Sequence, residues 1–461
     1  MDPEYVSPDA IRDRFSKAMS LMYQQEVPQY GTLLNIVRQV NEECLARSPD
    51  TFLHNEHAQA VNRLSVERHG AIRLGSAREL DEIRQMFAVM GMYPVGYYDL
   101  SAAGVPVHAT AFRPITEASL AFNPFRIFTS LLRLELIDDP ALRDKVAAII
   151  AQRHIFTPRA LELIAENTRQ GGLKDCQAAE FVSEALETFR WHHHSPVDGT
   201  IYQQLLQQHR LIADVVCFKG PHINHLTPRT LDIDEVQRRM PQQGIIPKET
   251  IEGPPPRRCP ILLRQTSFKA LSENILFADQ TAGTHTARFG EIEQRGQALT
   301  QKGRALYDKL LLAASAVSTD SNVDRQAQLA QAFADFPDDN ASLRQQELGF
   351  FRYLRGPNRQ AIDLAKVSEI ESLIASGHVL AEPIIYEDFL PVSAAGIFQS
   401  NLSGDTSSVS RGHPDKATFE AALGCGVIDE FTLYATLEQA SLQELWQALE
   451  AEQHPVNQSG K

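Results

Sequence analysis

Two stretches of the chain, 64–137 and 220–298, carry the same ordered set of local patterns, and this repetition constrains the fold more than any other feature. The first opens on Val66–Leu74, a short and partly β-branched run with glycines at 70 and 75. Ser76-Ala77-Arg78-Glu79 then has the form of a capping box, Ser at the N-cap and Glu at N3. The helix it opens carries Leu80, Ile83, Phe87, Val89 and Met90 and stops at Gly91. Strand-like runs Tyr93–Leu100 and Val105–Phe112 follow, and then Phe125–Ile137, whose pattern fits strand and helix alike. The second stretch opens on strand-like His222–Arg229 and continues with a capped helical run, Asp232–Gly244. Ile246–Gly253, Ile261–Ala270 and His285–Arg295 then read as strands. Each unit is a βαβββ module with one face to bury, and two such modules can cover one another. The expected class is α+β, with paired βαβββ modules forming a curved sheet or barrel.

The rest of the chain is helical by pattern. Residues 1–63 form an N-terminal segment in which Ile11, Phe15, Met19 and Met22 keep helical spacing. Residues 138–219 form a large helical insertion between the modules, with starts at Asp139-Pro140, Thr157-Pro158, Asp175 and Asp198-Gly199. Residues 299–461 are a mostly helical C-terminal region, interrupted by a mixed stretch over 384–393 and a polar one over 400–415. At 461 residues the chain exceeds one ordinary core, so several units are expected.

Charge and cysteine usage narrow the partners. A formal net charge of −14 disfavours nucleic acid and anionic membrane surfaces, and it means that an anionic substrate needs local arginines. Five scattered cysteines without a CxxC pair predict reduced thiols and a cytoplasmic location. The acidic N-terminus without an apolar segment predicts no signal peptide, and no apolar run is long enough for a membrane span.

The modules place chemistry at corresponding positions. His69 lies in the first strand of one and His222 and His225 in the first strand of the other, and only one of the latter two can point inward from a strand. Glu291 and Glu293 share a face of the last strand, with His285 on that face near its other end, and spacing alone does not choose between the two glutamates. Two histidines and one carboxylate leave open positions on a metal and favour non-haem Fe(II). The bland reading is equally concrete: hydrogen-bonded structural histidines, and glutamates paired with Arg288 and Arg295 on a solvated face. Arg73 lies on the His69 face about 13 Å further along, at about 3.3 Å per residue. A guanidinium there suits a bidentate grip on a carboxylate remote from the metal, and so a 2-oxo acid with a second carboxylate. His192-His193-His194 reads as a solvated loop or helix end, His108 as packing or an outer-shell residue, and His54 and His57 as structural.

Four segments carry a resemblance: Glu67–Arg73, His222–Arg229, Arg288–Gly296, and Glu387–Phe398 with its Asp-Phe-Leu-Pro-Val-Ser-Ala-Ala-Gly core. Together they resemble the bacterial 2-oxoadipate dioxygenase/decarboxylase (hydroxyglutarate synthase) family over nearly the whole chain. The resemblance implies a vicinal-oxygen-chelate-like core. It implies an Fe(II) enzyme of lysine catabolism that takes 2-oxoadipate and O₂ to 2-hydroxyglutarate and CO₂. It implies His69, His225 and Glu293 as metal ligands and Arg73 as the substrate-recognising arginine. It also puts a substrate contact at Val392 and Ser393. Two other classes stay open: a metal-dependent lyase or isomerase on the same fold that uses no O₂, and a non-catalytic metal-binding protein.

Overall fold

The fold, seen in a computed structural model that describes residues 4–47, 63–268, 272–286, 288–315, 322–360, 362, 369–390 and 413–453, begins with two helices. α1 (Pro8–Glu26) starts where the Ser7 side chain accepts from the Ala10 N–H and Pro8 occupies the first turn. α2 (Pro28–Arg47) follows after Val27. Ile11, Phe15, Met19 and Met22 are buried, as their spacing predicts. Buried Arg12 donates to the carbonyls of Asn123, Met90 and Ser119, tying α1 to the first module. Tyr23 donates to Asn224 O and Phe289 O, which fixes α1 to the approaches of two strands of the second.

The first module runs β1 (Arg68–Leu74), α3 (Ala77–Val89), β2 (Tyr93–Asp99), β3 (Val107–Arg113), α4 (Glu117–Phe122) and β4 (Arg126–Leu132). The ambiguous Phe125–Ile137 segment is therefore a strand, with one 3₁₀ turn after it. Ser76 caps α3, but Glu79 does not complete the box. Its carboxylate takes the Gly75 N–H and a bidentate grip from Arg153. The insertion follows as five helices, of which α5 (Pro140–Gln152), α6 (Pro158–Gln170) and α7 (Asp175–Glu187) precede α8 (Gly199–Gln208) and α9 (Arg210–Val216).

The second module runs β5 (Leu226–Pro228), α10 (Ile233–Arg239), β6 (Leu263–Ser267), β7 (Glu273–Leu276), β8 (Ala282–His285) and β9 (Glu291–Arg295). Its pairing parallels that of the first. β1 runs parallel to β4, which pairs antiparallel with β3. β5 likewise bridges β9 in parallel through Arg229 and Glu293, and β9 pairs antiparallel with β6. β1 and β5 are antiparallel neighbours and join the two modules, giving the order β2-β3-β4-β1-β5. The class is α+β as the repeat implies, and among the described residues the sheets stay open without closing into a barrel.

Two strand expectations in the second module fail. Ile246–Gly253 makes only isolated bridges, Pro247 with Phe268 and Glu252 with Gln265; Pro247 lacks an N–H to extend a ladder, and Ile246 is exposed. His285–Arg295 is not one strand. β8 belongs to a separate hairpin with β7, so His285 does not share the face of Glu291 and Glu293.

The C-terminal region holds α11 (Gln301–Ser315), α12 (Asn322–Ala332), α13 (Asn340–Gln345) and β10 (Phe351–Arg355). α14 (Ile370–Ala375) and β11 (Val379–Pro383) follow, then α15 (Lys416–Leu423) and α16 (Glu430–Gln453). β10 and β11 form a hairpin, and β10 meets α16 through the Tyr353 N–H bond to Ser441. No helix among the described residues is long and apolar enough to cross a membrane.

Candidate metal centre

Gly70 explains why two histidines from distant segments can meet. A Cβ at this position would lie 2.6 Å from Ile223 Cδ1 and 3.0 Å from His225 O, so glycine lets the segment entering β5 approach β1 this closely without a shift. His69, beside Gly70, and His225, in the non-strand segment just before β5 and not within the strand that the pattern predicts from His222, then stand with ring centroids 5.5 Å apart and planes at 87°. Both are buried. β9 completes the site because Glu291, Ile292 and Glu293 are all buried against it, with the two glutamates on one face.

Each glutamate meets a different nitrogen of His69. Glu291 Oε2 lies 3.3 Å from His69 Nε2 and 3.0 Å from His225 Nε2, and it accepts from the Thr227 hydroxyl at 2.8 Å. Glu293 Oε2 lies 2.9 Å from His69 Nδ1. One atom each from His69, His225 and Glu291 falls within 4.8 Å of the others, the spacing that a shared cation requires. Two buried polar atoms here have no partner, His225 Nδ1 and Glu291 Oε1, while His69 Nδ1 meets only the Glu293 carboxylate. Unpartnered polar groups at this depth are costly, and with the convergence of His69, His225 and Glu291 they fit a site that takes a further partner. The Phe389 ring packs 5.0 Å from His69 and that of Phe289 4.8 Å from His225, keeping the site apolar around its polar centre.

The electrostatics are those of a site built for positive charge. Burial pushes the Glu291 carboxyl up, but His225 and His69 outweigh it and hold the group well below the usual carboxylate range. Burial raises Glu293 too, and Arg295, His69 and Arg126 bring it to about 2. Both are therefore anions at neutral pH. Burial lowers His69, yet Glu293 and Glu291 raise it on balance; burial prevails at His225, which is lowered.

Behind the site lies a buried ionic lattice. Glu293 receives a bidentate grip from Arg295 at 2.9 and 2.8 Å, with Arg126 at 3.6 Å. Glu67 accepts from Arg63, Arg126 and Arg229. Glu387 accepts from Arg63 at 2.8 Å and also from Arg126. Arg113 grips Asp388 at 2.6 and 2.9 Å. None of these residues except Glu293 and Arg295 was singled out by pattern, although Glu67 and Glu387-Asp388 lie within the segments that carried the resemblance.

Arg73 is buried on the His69 side of β1, with its guanidinium against the carboxylate of Asp214. His222, the histidine of the pair that does not join the cluster, also faces Asp214, at 3.2 Å. His108 packs on Phe419 as expected, with centroids 4.7 Å apart. Val392 and Ser393, and also His54 and His57, lie outside the described residues.

Comparison with known proteins places this geometry in context. A family model described as 2-oxoadipate dioxygenase/decarboxylase matches residues 15–401. The chain is 60% identical over 440 residues to the 2-oxoadipate dioxygenase/decarboxylase of Escherichia coli, covering 95% of this chain and 98% of that one. It is 57% identical over 455 residues to the protein of the same name from Pseudomonas putida, covering 97% and 98%. The crystal structure of hydroxyglutarate synthase from Pseudomonas putida in complex with 2-oxoadipate superposes with a TM-score of 0.90 at 56% identity, covering 97% of this chain and 99% of that one.

Proposed function

Because the chain belongs to the 2-oxoadipate dioxygenase/decarboxylase family, we propose that it is an Fe(II)-dependent dioxygenase that converts 2-oxoadipate and O₂ into 2-hydroxyglutarate and CO₂. The observation that carries the proposal is the buried convergence of His69 and His225 with a β9 carboxylate, with His225 Nδ1 and Glu291 Oε1 left unpartnered. A bound ferrous ion supplies O₂ activation and a chelation point for the 2-oxo acid end of the substrate. The ligand set proposed is His69, His225 and Glu293. Glu293 Oε2 sits 2.9 Å from His69 Nδ1, a separation that two ligands of one ion would also show.

A second reading of the third ligand has its own support. Glu291, not Glu293, is the carboxylate that converges with both histidines, and Glu293 is already gripped by Arg295. In that reading Glu293 orients His69 from the far side of its ring, as outer carboxylates do for metal-bound histidines.

The chain's other residues have stated tasks. Arg73 holds the remote carboxylate of the substrate, and Val392 and Ser393 contact it from the late segment. Phe389 and Phe289 exclude water from the histidines. The arginine lattice keeps Glu293 ionised and fixed. The proposed location is the cytoplasm, in keeping with five free cysteines.

Iron content after anaerobic loading tests the site. His69→Ala and His225→Ala are expected to lose bound iron, and full retention in both would remove the centre proposed here. Glu293→Gln loses iron if Glu293 is the ligand; loss in Glu291→Gln with retention in Glu293→Gln establishes the second reading.

A further inference from the structure

α9 reads Arg-Leu-Ile-Ala-Asp-Val-Val, and from Leu211 onward every residue is buried, including the one carboxylate, Asp214. A buried carboxylate on an apolar helix needs a reason, because desolvating it is expensive unless it is paired and hydrogen-bonded. Its surroundings come from three separate parts of the chain. Asp214 Oδ2 faces Arg73 of β1. Asp214 Oδ1 lies 2.9 Å from His285 Nε2 of β8 and 3.2 Å from His222 Nε2, ahead of β5. The far side of His285 is fixed in turn, with Nδ1 2.9 Å from the Tyr202 hydroxyl of α8. Trp191 packs against both imidazoles, edge-on to His222 at 4.7 Å and stacked with His285 at 6.3 Å. Burial raises the Asp214 carboxyl, but Arg73 and His222 hold it well below the usual carboxylate range, so it accepts from all three partners. The Asn224 amide, turned with its oxygen toward Arg73, accepts at 2.9 Å from Arg73 Nη1, the nitrogen that also faces Asp214, and donates to Ala71 O at 3.2 Å.

We infer that Asp214 is a positioning residue that aims the Arg73 guanidinium, so that the helical insertion sets the preference of the site for a 2-oxo acid bearing a second carboxylate. The inference rests on the reading of Arg73 as the anchor for that carboxylate. An arginine side chain carries substantial rotamer freedom, and a guanidinium fixed before binding spares the substrate the cost of ordering it. Asp214 is suited to this because its own oxygens are pinned from two sides: one by two imidazoles, the other by the arginine it directs. The polar contacts of Asp214 go to Arg73, His285 and His222 rather than to His69 or the β9 carboxylates, so its effect reaches the substrate through Arg73.

The test compares 2-oxoadipate with 2-oxohexanoate, which has the same length but no second carboxylate. Steady-state kinetics and anaerobic binding titrations are run on the Fe(II)-loaded wild type, Asp214→Asn and Arg73→Ala. Asp214→Asn is expected to raise KM and Kd for 2-oxoadipate about ten- to thirty-fold. Values for 2-oxohexanoate, kcat and iron content should stay near wild type. His285→Gln, which removes one of the two bonds on Oδ1, should shift the same ratio in the same direction and serves if Asp214→Asn does not accumulate as folded protein. An unchanged ratio of the two substrates, an equal loss for both, or tighter binding of 2-oxoadipate overturns the inference. If Arg73→Ala abolishes the preference and the Asp214 variant does not, the anchor reading survives and Asp214 has no part in it. If Arg73→Ala keeps the preference, the anchor reading itself fails.

Discussion

Glu67→Gln is the perturbation whose cost can be worked most directly from the structure. Glu67 is fully buried and lies two residues before His69. Its carboxylate accepts four charge-assisted bonds: from Arg63 at 3.0 and 3.2 Å, from Arg126 at 2.8 Å and from Arg229 at 3.2 Å. The substitution keeps the shape and removes the charge, so three buried guanidiniums lose part of their compensation. Removing one partner of a buried ion pair costs about 3–5 kcal/mol, because the remaining charge stays desolvated. Chemical denaturation at neutral pH should show a loss of that size in unfolding free energy. The pH dependence gives a second handle. Burial raises the Glu67 carboxyl, but Arg63, Arg229 and Arg126 hold it well below its ordinary value of 4.5. A depressed folded-state value means that this stabilisation is complete above the unfolded value and is lost as pH falls through the folded one. The acid limb of the stability profile below about pH 4.5 should therefore flatten in the variant. A loss under about 1 kcal/mol with an unaltered acid limb would refute the reasoning, since it would mean that the lattice carries no net charge coupling.

Two further outcomes follow from packing and titration. Gly290→Ala should destabilise by about 1–3 kcal/mol, because the new methyl would stand 1.9 Å from Phe268 Cε1 and must displace the entry to β9; equilibrium unfolding checks it, and a neutral result contradicts the close approach. Burial, with help from Arg133, lowers the His108 imidazole to about 4. The stability it contributes is present above its ordinary value of 6.5 and is lost as pH falls toward 4, so His108→Gln should weaken the pH dependence between those limits.

Much of this was legible in the sequence, for identifiable physical reasons. The short, partly β-branched run and the Gly70 and Gly75 punctuation located β1, and strand alternation put Glu291 and Glu293 on one face, where the structure has them. Alternation could not choose between them, and the fold shows why: they flank the two nitrogens of one imidazole, so both point inward. His285 is misplaced when 285–295 is read as one strand, because within that span the backbone leaves one hairpin and enters another sheet, and the apolar positions change parity from Phe289 to Ile292 across Gly290. The arginine lattice was invisible, since a charged residue in isolation reads as solvated and only tertiary pairing buries it. Asp214 did leave a signal, a single acidic residue in an otherwise apolar helix.

The central claim is that the paired modules hold iron for an oxygen-dependent decarboxylation of 2-oxoadipate. The direct measurement is turnover of the Fe(II)-loaded protein with 2-oxoadipate, with and without O₂, following oxygen uptake, CO₂ release and product identity together. The account predicts equal amounts of O₂ consumed, CO₂ released and 2-hydroxyglutarate formed, and no turnover without O₂. Product formation at the same rate in the absence of O₂, or no oxygen uptake in its presence, would contradict it.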